Sequence, residues 1–463
     1  MPEVTIDFTK EIGVIKPMHA VNNGPIKARS DQTRGNFDAY SAANIPYARN
    51  HDASHCSTYG GPHAVDIGAV FPDFDSDPEN PDSYDFVLTD EYLKTTLDAG
   101  TKIFYRLGSK IEHWSKKYGT LPPKDFQKWA VICEHVIKHY NEGWADGFHW
   151  DIDYWEIWNE PDLDPDDSDN KRTWGGTAAE FYTFYAVAAR HLKSRFPHLK
   201  IGGPALAGQT GKWLDGFLAS LTENGGRVPL DFFSWHIYTT DPKRIIEMAN
   251  VIREKLNRAG YETTESILNE WNYVEGWTDQ FIHSIEMIIS MRGAAFTQAS
   301  MCLGQNSTID MMMYYDARPC AFNGLFDFYT YRPLKGYYPF FIFSKLSKMG
   351  TQVQADSDLG ELYTVAARGK DGKCTAVICY YPQDGNAENQ AVTVHTSGSK
   401  GGFDTFLLDD GHDFEKTGIT ELNGNEAVFH LKPNSILFLP NSNKTKGGSL
   451  ETALCKEPII RPD

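Results

Sequence analysis

The chain has 463 residues, 41% hydrophobic and 23% charged, an ordinary globular composition that allows a sizeable core and excludes global disorder. Lys and Arg number 44 against 62 Asp and Glu, a formal net charge of −18, which argues against general binding to nucleic acid or anionic membrane because both need a basic surface. No apolar run reaches the ~18 residues of a membrane-spanning helix.

Residues 1–16 alternate Val4, Ile6 and Phe8, the pattern of an edge strand. The same stretch lacks the basic start and apolar centre of a signal peptide, so the expected location is cytoplasmic, or secreted or periplasmic if a leader has been removed. From 17 to 350 short apolar runs alternate with amphipathic stretches. The runs are KIFYRL (102–107), YWEIWNEP (154–161), KIGGPAL (200–206), DFFSWHIY (231–238), ESILNEW (265–271) and IDMMMYYD (309–316). Helical faces fall between them: Phe126, Trp129, Ala130, Cys133, Val136 and Ile137; then Phe181, Phe184, Tyr185, Ala188 and Leu192; then Ile245, Met248, Ala249, Ile252 and Leu256. Strands alternating with helices predict βαβ units, a parallel sheet and, at this length, a (β/α)8 TIM barrel. The stretch exceeds the ~250 residues typical of that barrel, so loop insertions are expected. Two stand out, at 52–84 and at 161–176 (PDLDPDDSDNKRTWGG).

Past 350 the helical pattern stops. GELYTVAARGKDGKCTAVICYYP reads as a hairpin with a Gly-Lys-Asp-Gly turn. AVTVHT, FDTFLLDD, NEAVFHL and NSILFLP add strand-like pieces. The fold class expected is thus α/β, a TIM barrel over 17–350 with a smaller C-terminal β-sandwich over 351–440. Residues 1–16 supply a strand to the sandwich and 441–463 form a tail. The 7 cysteines, Cys56, Cys133, Cys302, Cys320, Cys374, Cys379 and Cys455, are odd in number and dispersed, and read as free thiols.

Two motifs carry chemistry. In WEIWNEP, Glu160 closes a strand-like run before Pro161. In ILNEW, Glu270 closes another. The separation, 270 − 160 = 110 residues, is three βα units of about 37 residues. Glu160 therefore falls at the end of the fourth barrel strand and Glu270 at the end of the seventh, over one mouth. Two carboxylates so placed are what glycoside hydrolysis requires, one protonated to assist the leaving oxygen and one ionised to attack the anomeric carbon.

With WEIWNEPD (155–162), FFSWHIY (232–238), LNEWN (268–272) and an Arg-x-His at 49–51, the chain resembles glycoside hydrolase family 39, the family of β-xylosidases and α-L-iduronidases. The resemblance runs from about 12 to 350, more loosely through the sandwich. It implies that Glu160 is the general acid/base and Glu270 the nucleophile. Asn159 would bond the sugar 2-hydroxyl, and Tyr238 would donate to Glu270. His236 would sit beside the acid/base or the sugar, and Arg49 and His51 would line the glycone pocket. The chain departs from the family pattern at YRLGSK (105–110), where Arg106 stands in place of the acidic residue expected of xylosidases. The implied activity is a retaining, exo-acting, β-xylosidase-like hydrolase on oligosaccharides or plant-polysaccharide fragments, with no metal and no cofactor. Release of an α-L-arabinoside or another pentoside is the alternative within the family, and a transglycosylase would share the same intermediate. A non-catalytic carbohydrate-binding protein is the competing class, and it would usually have lost one of the two glutamates. Oligomeric state is left open, a homo-oligomer included.

Other clusters read as follows. Trp271, next to Glu270, is taken as a stacking platform over the site, and Trp158 as lining the barrel. Trp114, Trp174 and Trp277 fall in loops where they can meet sugar. His51, Asp52, His55 and Cys56 are metal-ligand types, but a glycone pocket around His51 is preferred. Asp162, Asp164, Asp166, Asp167 and Asp169 lack calcium-loop spacing and read as a solvated loop. Gly202–Gly203 reads as a tight turn, Met311–Met313 as core strand, and Asp316 as either a substrate contact or a structural hydrogen bond.

Overall fold

The computed structural model describes residues 1–53, 63–208, 210–222, 226–399, 402–420 and 426–442. Eight parallel strands close the expected barrel: β2 (Ala20–Asn22), β3 (Tyr47–Arg49), β4 (Lys102–Leu107), β5 (Tyr154–Ile157), β6 (Lys200–Leu206), β7 (Phe232–Tyr238), β8 (Glu265–Asn272) and β9 (Met311–Tyr314), with β9 pairing back to β2. The lower barrel is filled by Ala20, Phe104, Tyr154, Phe232, Ile267, Met311 and Met313, which leaves the C-terminal ends of the strands for the site. The three amphipathic stretches form the helices Phe126–Glu142, Ala178–Arg195 and Pro242–Arg258, whose apolar faces lie buried on the barrel. Gly202 and Gly203 lie inside β6, not in a turn. A side chain at Gly202 would meet the Phe232 carbonyl at 2.2 Å, and one at Gly203 the Ile157 carbonyl at 2.7 Å, so these glycines let neighbouring strands approach closely.

The second sheet has nine strands: β1 (Glu3–Val14), β10 (Thr351–Ser357), β11 (Leu362–Arg368), β12 (Cys374–Tyr380), β13 (Gln390–Ser397), β14 (Phe403–Asp409), β15 (His412–Thr420), β16 (Glu426–Leu431) and β17 (Ser435–Pro440). The order is β15-β14-β17-β12-β11-β10-β1-β13-β16. The β11–β12 hairpin turns at the expected Gly-Lys-Asp-Gly, with Arg368 opposite Cys374. Val4, Ile6 and Phe8 share a core with Val353, Leu362, Ile378, Val394, Phe403 and Leu437, residues drawn from across the sheet. β1 is an interior strand, antiparallel to β10 and parallel to β13. Alternation reports which face is buried, not which edge is paired, so the edge-strand reading fails there. The expected tail lies mostly outside the described residues, as do His55 and Cys56. Among the described residues no helix is long and apolar enough to cross a membrane.

Between β1 and the barrel, the Lys16 ammonium donates to the carbonyls of Gly304, Ser307 and Ile309 at 3.0, 2.9 and 2.6 Å. These acceptors end the helix Met291–Gln305 and lead into β9. Lys16→Met strips a partly buried cluster of carbonyls of its donor and is expected to cost about 1–3 kcal/mol. A melting temperature lowered by a few degrees, with turnover unchanged, is the expected readout.

Candidate active site

Sharp backbone at the end of β5 aims the first carboxylate. Trp158 and Glu160 both hold left-handed φ, 76° and 49°, a conformation that costs energy for non-glycine residues and clusters at functional sites. The turn is held by the Glu160 N–H, which donates to the Ala205 carbonyl at 2.9 Å, and by Thr173 Oγ1, which donates to the Glu160 carbonyl at 2.6 Å. The kink breaks strand alternation. Trp158 turns outward against Trp129, Trp174 and Phe184 and does not line the barrel.

A bulge aims the second carboxylate. Trp235 pairs with Leu268, but His236 pairs with Glu270, so Asn269 is an extra residue in β8. Asn269 and Glu270 thereby both face inward, and Trp271 faces out. Trp271 is fully buried against Phe296 and Tyr314. It is a core residue under the helix Met291–Gln305, not the stacking platform expected, because the bulge returns it to the outer face.

Glu160 Oε1 and His236 Nδ1 are 2.8 Å apart. His236 Nδ1 also lies 3.6 Å from Glu270 Oε2. One oxygen of each carboxylate and a ring nitrogen of His236 fall within 4.8 Å of one another. These are also ligand types for a divalent cation, but a cation would have to displace the hydrogen-bond partners already engaged by both carboxylates. The Tyr238 hydroxyl donates to Glu270 Oε1. Burial pushes both carboxyls up to about 7. Glu270 is opposed in this by His236, Arg49 and Tyr238. Burial holds His236 down to about 4, hence neutral.

Arg49 is the hub. It is fully buried, with Nε 2.7 Å from Glu156 Oε2, Nη2 2.6 Å from Asn159 Oδ1, and Nη1 3.3 Å from Glu270 Oε2 and 3.2 Å from Asn22 Oδ1. By occupying Asn159 Oδ1 it leaves the amide nitrogen of Asn159 as the group to donate to a ligand. Glu156 was not read from the sequence. Its other oxygen accepts from Ser234 Oγ at 2.6 Å and from Asn269. A glutamate in a strand buried on both faces was the available signal.

His51 lies one layer away. Arg106 Nε donates to its Nδ1 at 3.2 Å, and Arg106 Nη2 pairs with Asp66 at 2.7 Å. A guanidinium donor leaves His51 Nδ1 only an acceptor's role, so the ring is neutral with its proton on Nε2, 3.8 Å from Asp52. That nitrogen is thereby taken from any metal. Asp52 accepts from the Tyr315 hydroxyl and lies 3.4 Å from His63. Its carboxyl is held well below the usual range, despite burial, by His51, Arg318 and His63. Asp52, His63, Lys110, Trp114, Tyr315 and Arg318 are among the residues lining a cavity of about 190 Å³. Part of the 52–84 insertion thus walls this cavity. Asp316 is a buried structural residue that accepts from Asn23 at 3.1 Å.

The acidic loop is tied down by hydrogen bonds within it and to its neighbours. Asp162 accepts from Ala207 N–H, Asp164 from Arg172 and Asp166 from Ala178 N–H. Trp174 is buried, whereas Trp114 and Trp277 are 61% and 59% exposed.

Residues 63–278 match the family model described as Glycosyl hydrolases family 39. All three long motifs fall inside that span, and the resemblance read from them is borne out. A β-xylosidase from Geobacillus stearothermophilus is 31% identical over 188 residues, 38% of this chain and 34% of that one. Another from Caldicellulosiruptor saccharolyticus is 30% identical over 169 residues, 34% and 32% of the two chains. The chain thus spans about a third of the length of these curated relatives. In fold it is similar to a glucosidase from Croceicoccus marinus (TM-score 0.77, 22% identity, 95% of this chain and 98% of that). It is also similar to a monomeric β-xylosidase from Caulobacter crescentus (TM-score 0.68, 15% identity, 95% and 99%).

Proposed function

We propose that this chain, a family 39 glycoside hydrolase sequence over residues 63–278, is a retaining exo-glycosidase that releases a terminal pentose, with a β-D-xyloside as the leading substrate. The observation that carries the reading is the facing pair Glu160 and Glu270, unequal in their partners. Both are buried, so the pair favours holding one proton between two acids. The Arg49 charge opposes the rise of both carboxyls, but of the two only Glu270 accepts hydrogen bonds from Arg49 and the Tyr238 hydroxyl, which favours the anion there. The proton then resides on Glu160, next to neutral His236.

Glu270 attacks the anomeric carbon while Glu160 gives its proton to the departing oxygen. Glu160, now ionised, takes a proton from water, which attacks the same carbon and releases the sugar from Glu270. The short approach of the two carboxylates, 4.8 Å or less between one oxygen of each, suits this course. Inverting enzymes keep about 6.5–9.5 Å between the carboxyls to seat a water. Exo action rests on the resemblance to the β-xylosidases of the family.

A panel of p-nitrophenyl glycosides tests the reading. Release from the β-D-xyloside, unaffected by excess EDTA, is the expected result. Release from the α-L-arabinofuranoside instead moves the substrate and keeps the mechanism. Silence across the panel, with binding of natural oligosaccharides and no turnover, would replace the hydrolase reading with that of a binding protein.

A further inference from the structure

An aromatic cluster with one exposed ring packs against Tyr238. Trp277 is 59% exposed and meets the ring of Tyr238 in a T-shaped contact at 4.8 Å; Tyr238 is the residue that donates to Glu270. Trp277 lies 5.8 Å from Phe281 and 6.1 Å from Phe322, and Phe281 lies 6.0 Å from Phe322, with interplanar angles of 21°, 17° and 15°. The three near-parallel rings pack offset against one another, with Trp277 the most exposed of them. Phe322 also contacts Tyr315, 5.8 Å away, and Tyr315 lines the cavity. The cluster therefore links Tyr315 and the tyrosine that holds Glu270 to an exposed ring.

We propose that Trp277, backed by Phe281 and Phe322, is the platform on which the ring of the leaving group stacks, and that it sets the preference for sugar or aryl leaving groups. This rests on the exo-glycosidase reading above. Tyr238 both donates to Glu270 and meets the Trp277 ring, so with the terminal sugar over Glu270 the leaving group is the part of the substrate within reach of that exposed ring. The apolar C–H face of a pyranose, or an aryl ring, is the chemistry that such a ring accepts.

The test compares two substrates of the sugar that the panel identifies, its disaccharide and its glycosyl fluoride, whose leaving group has no ring. Trp277→Ala is expected to lower kcat/KM on the disaccharide about tenfold, mainly through KM, and to leave the fluoride within about twofold. Trp277→Tyr restores most of the loss. The fluoride rate also reports that the variant is folded. Equal losses on both substrates would assign Trp277 to positioning Tyr238 and overturn the proposal, as would no loss on either. A wild-type protein inert toward both would remove the hydrolase reading first, and this inference with it.

Discussion

Glu270→Ala is expected to lower kcat/KM on the best p-nitrophenyl glycoside by about 10,000-fold or more, the scale on which loss of a nucleophile acts. Rate alone does not separate the two carboxylates, but added azide does. In Glu270→Ala the space below the anomeric carbon is open and Glu160 still protonates the leaving group. Azide entering there attacks from the nucleophile's side and gives a glycosyl azide of inverted configuration. In Glu160→Ala the nucleophile remains. A substrate with a good leaving group still glycosylates Glu270, and azide then takes the place of water, so its product keeps the starting configuration. Product configuration read by NMR checks both. Retained product from Glu270→Ala would exchange the two roles. Azide rescue of neither variant, with both still folded, would sink the covalent mechanism.

The pair was legible because each glutamate sits in a run that could only be a strand, one followed by proline and the other by Trp-Asn. The residues that the family resemblance placed around them, Arg49, Asn159, His236 and Tyr238, all converge on the mouth in space. Trp158 was misplaced because period-two alternation assumes an unbroken strand, and left-handed residues at 158 and 160 break it at the site itself. Trp271 was placed over the site against alternation; it faces outward, as alternation from Glu270 requires, and the bulge at Asn269 is what turns Glu270 inward. Local irregularity re-aims the side chains that carry function, and pattern reading is blind to it. β2 and β3, three residues each, are too short to show a pattern at all. Arg106 stood out in the sequence only as a departure from the family pattern. Its fully buried side chain meets Asp66, supplied by the insertion, a pairing that no spacing along the chain reveals.

Arg49 carries the second large effect, because one guanidinium serves Glu156, Glu270, Asn159 and Asn22 at once. Arg49→Met leaves Glu156 and Glu270 buried without the cation, and breaking such a pair costs about 3–5 kcal/mol. A melting temperature lower by about 3–5 °C is expected at neutral pH. The loss depends on pH in a fixed direction. Burial already raises the Glu270 carboxyl above its ordinary value of 4.5, to about 7, and Arg49 opposes that rise; without Arg49 it climbs further. A carboxyl raised in the folded state stabilises fully below its unfolded value, and that stability is lost as pH rises through the folded value. The gap to wild type should therefore be smallest up to about pH 7 and widen above it. Activity moves with the same proton, since Glu270 must be ionised to attack. The acidic limb of kcat/KM shifts to higher pH, and the rate at neutral pH drops by two to three orders of magnitude. Arg49→Lys keeps the charge but cannot bridge both carboxylates and Asn159 with one fork, so it should recover stability more than rate. An acidic limb left in place by Arg49→Met would show that Arg49 supports the scaffold and does not hold Glu270 ionised.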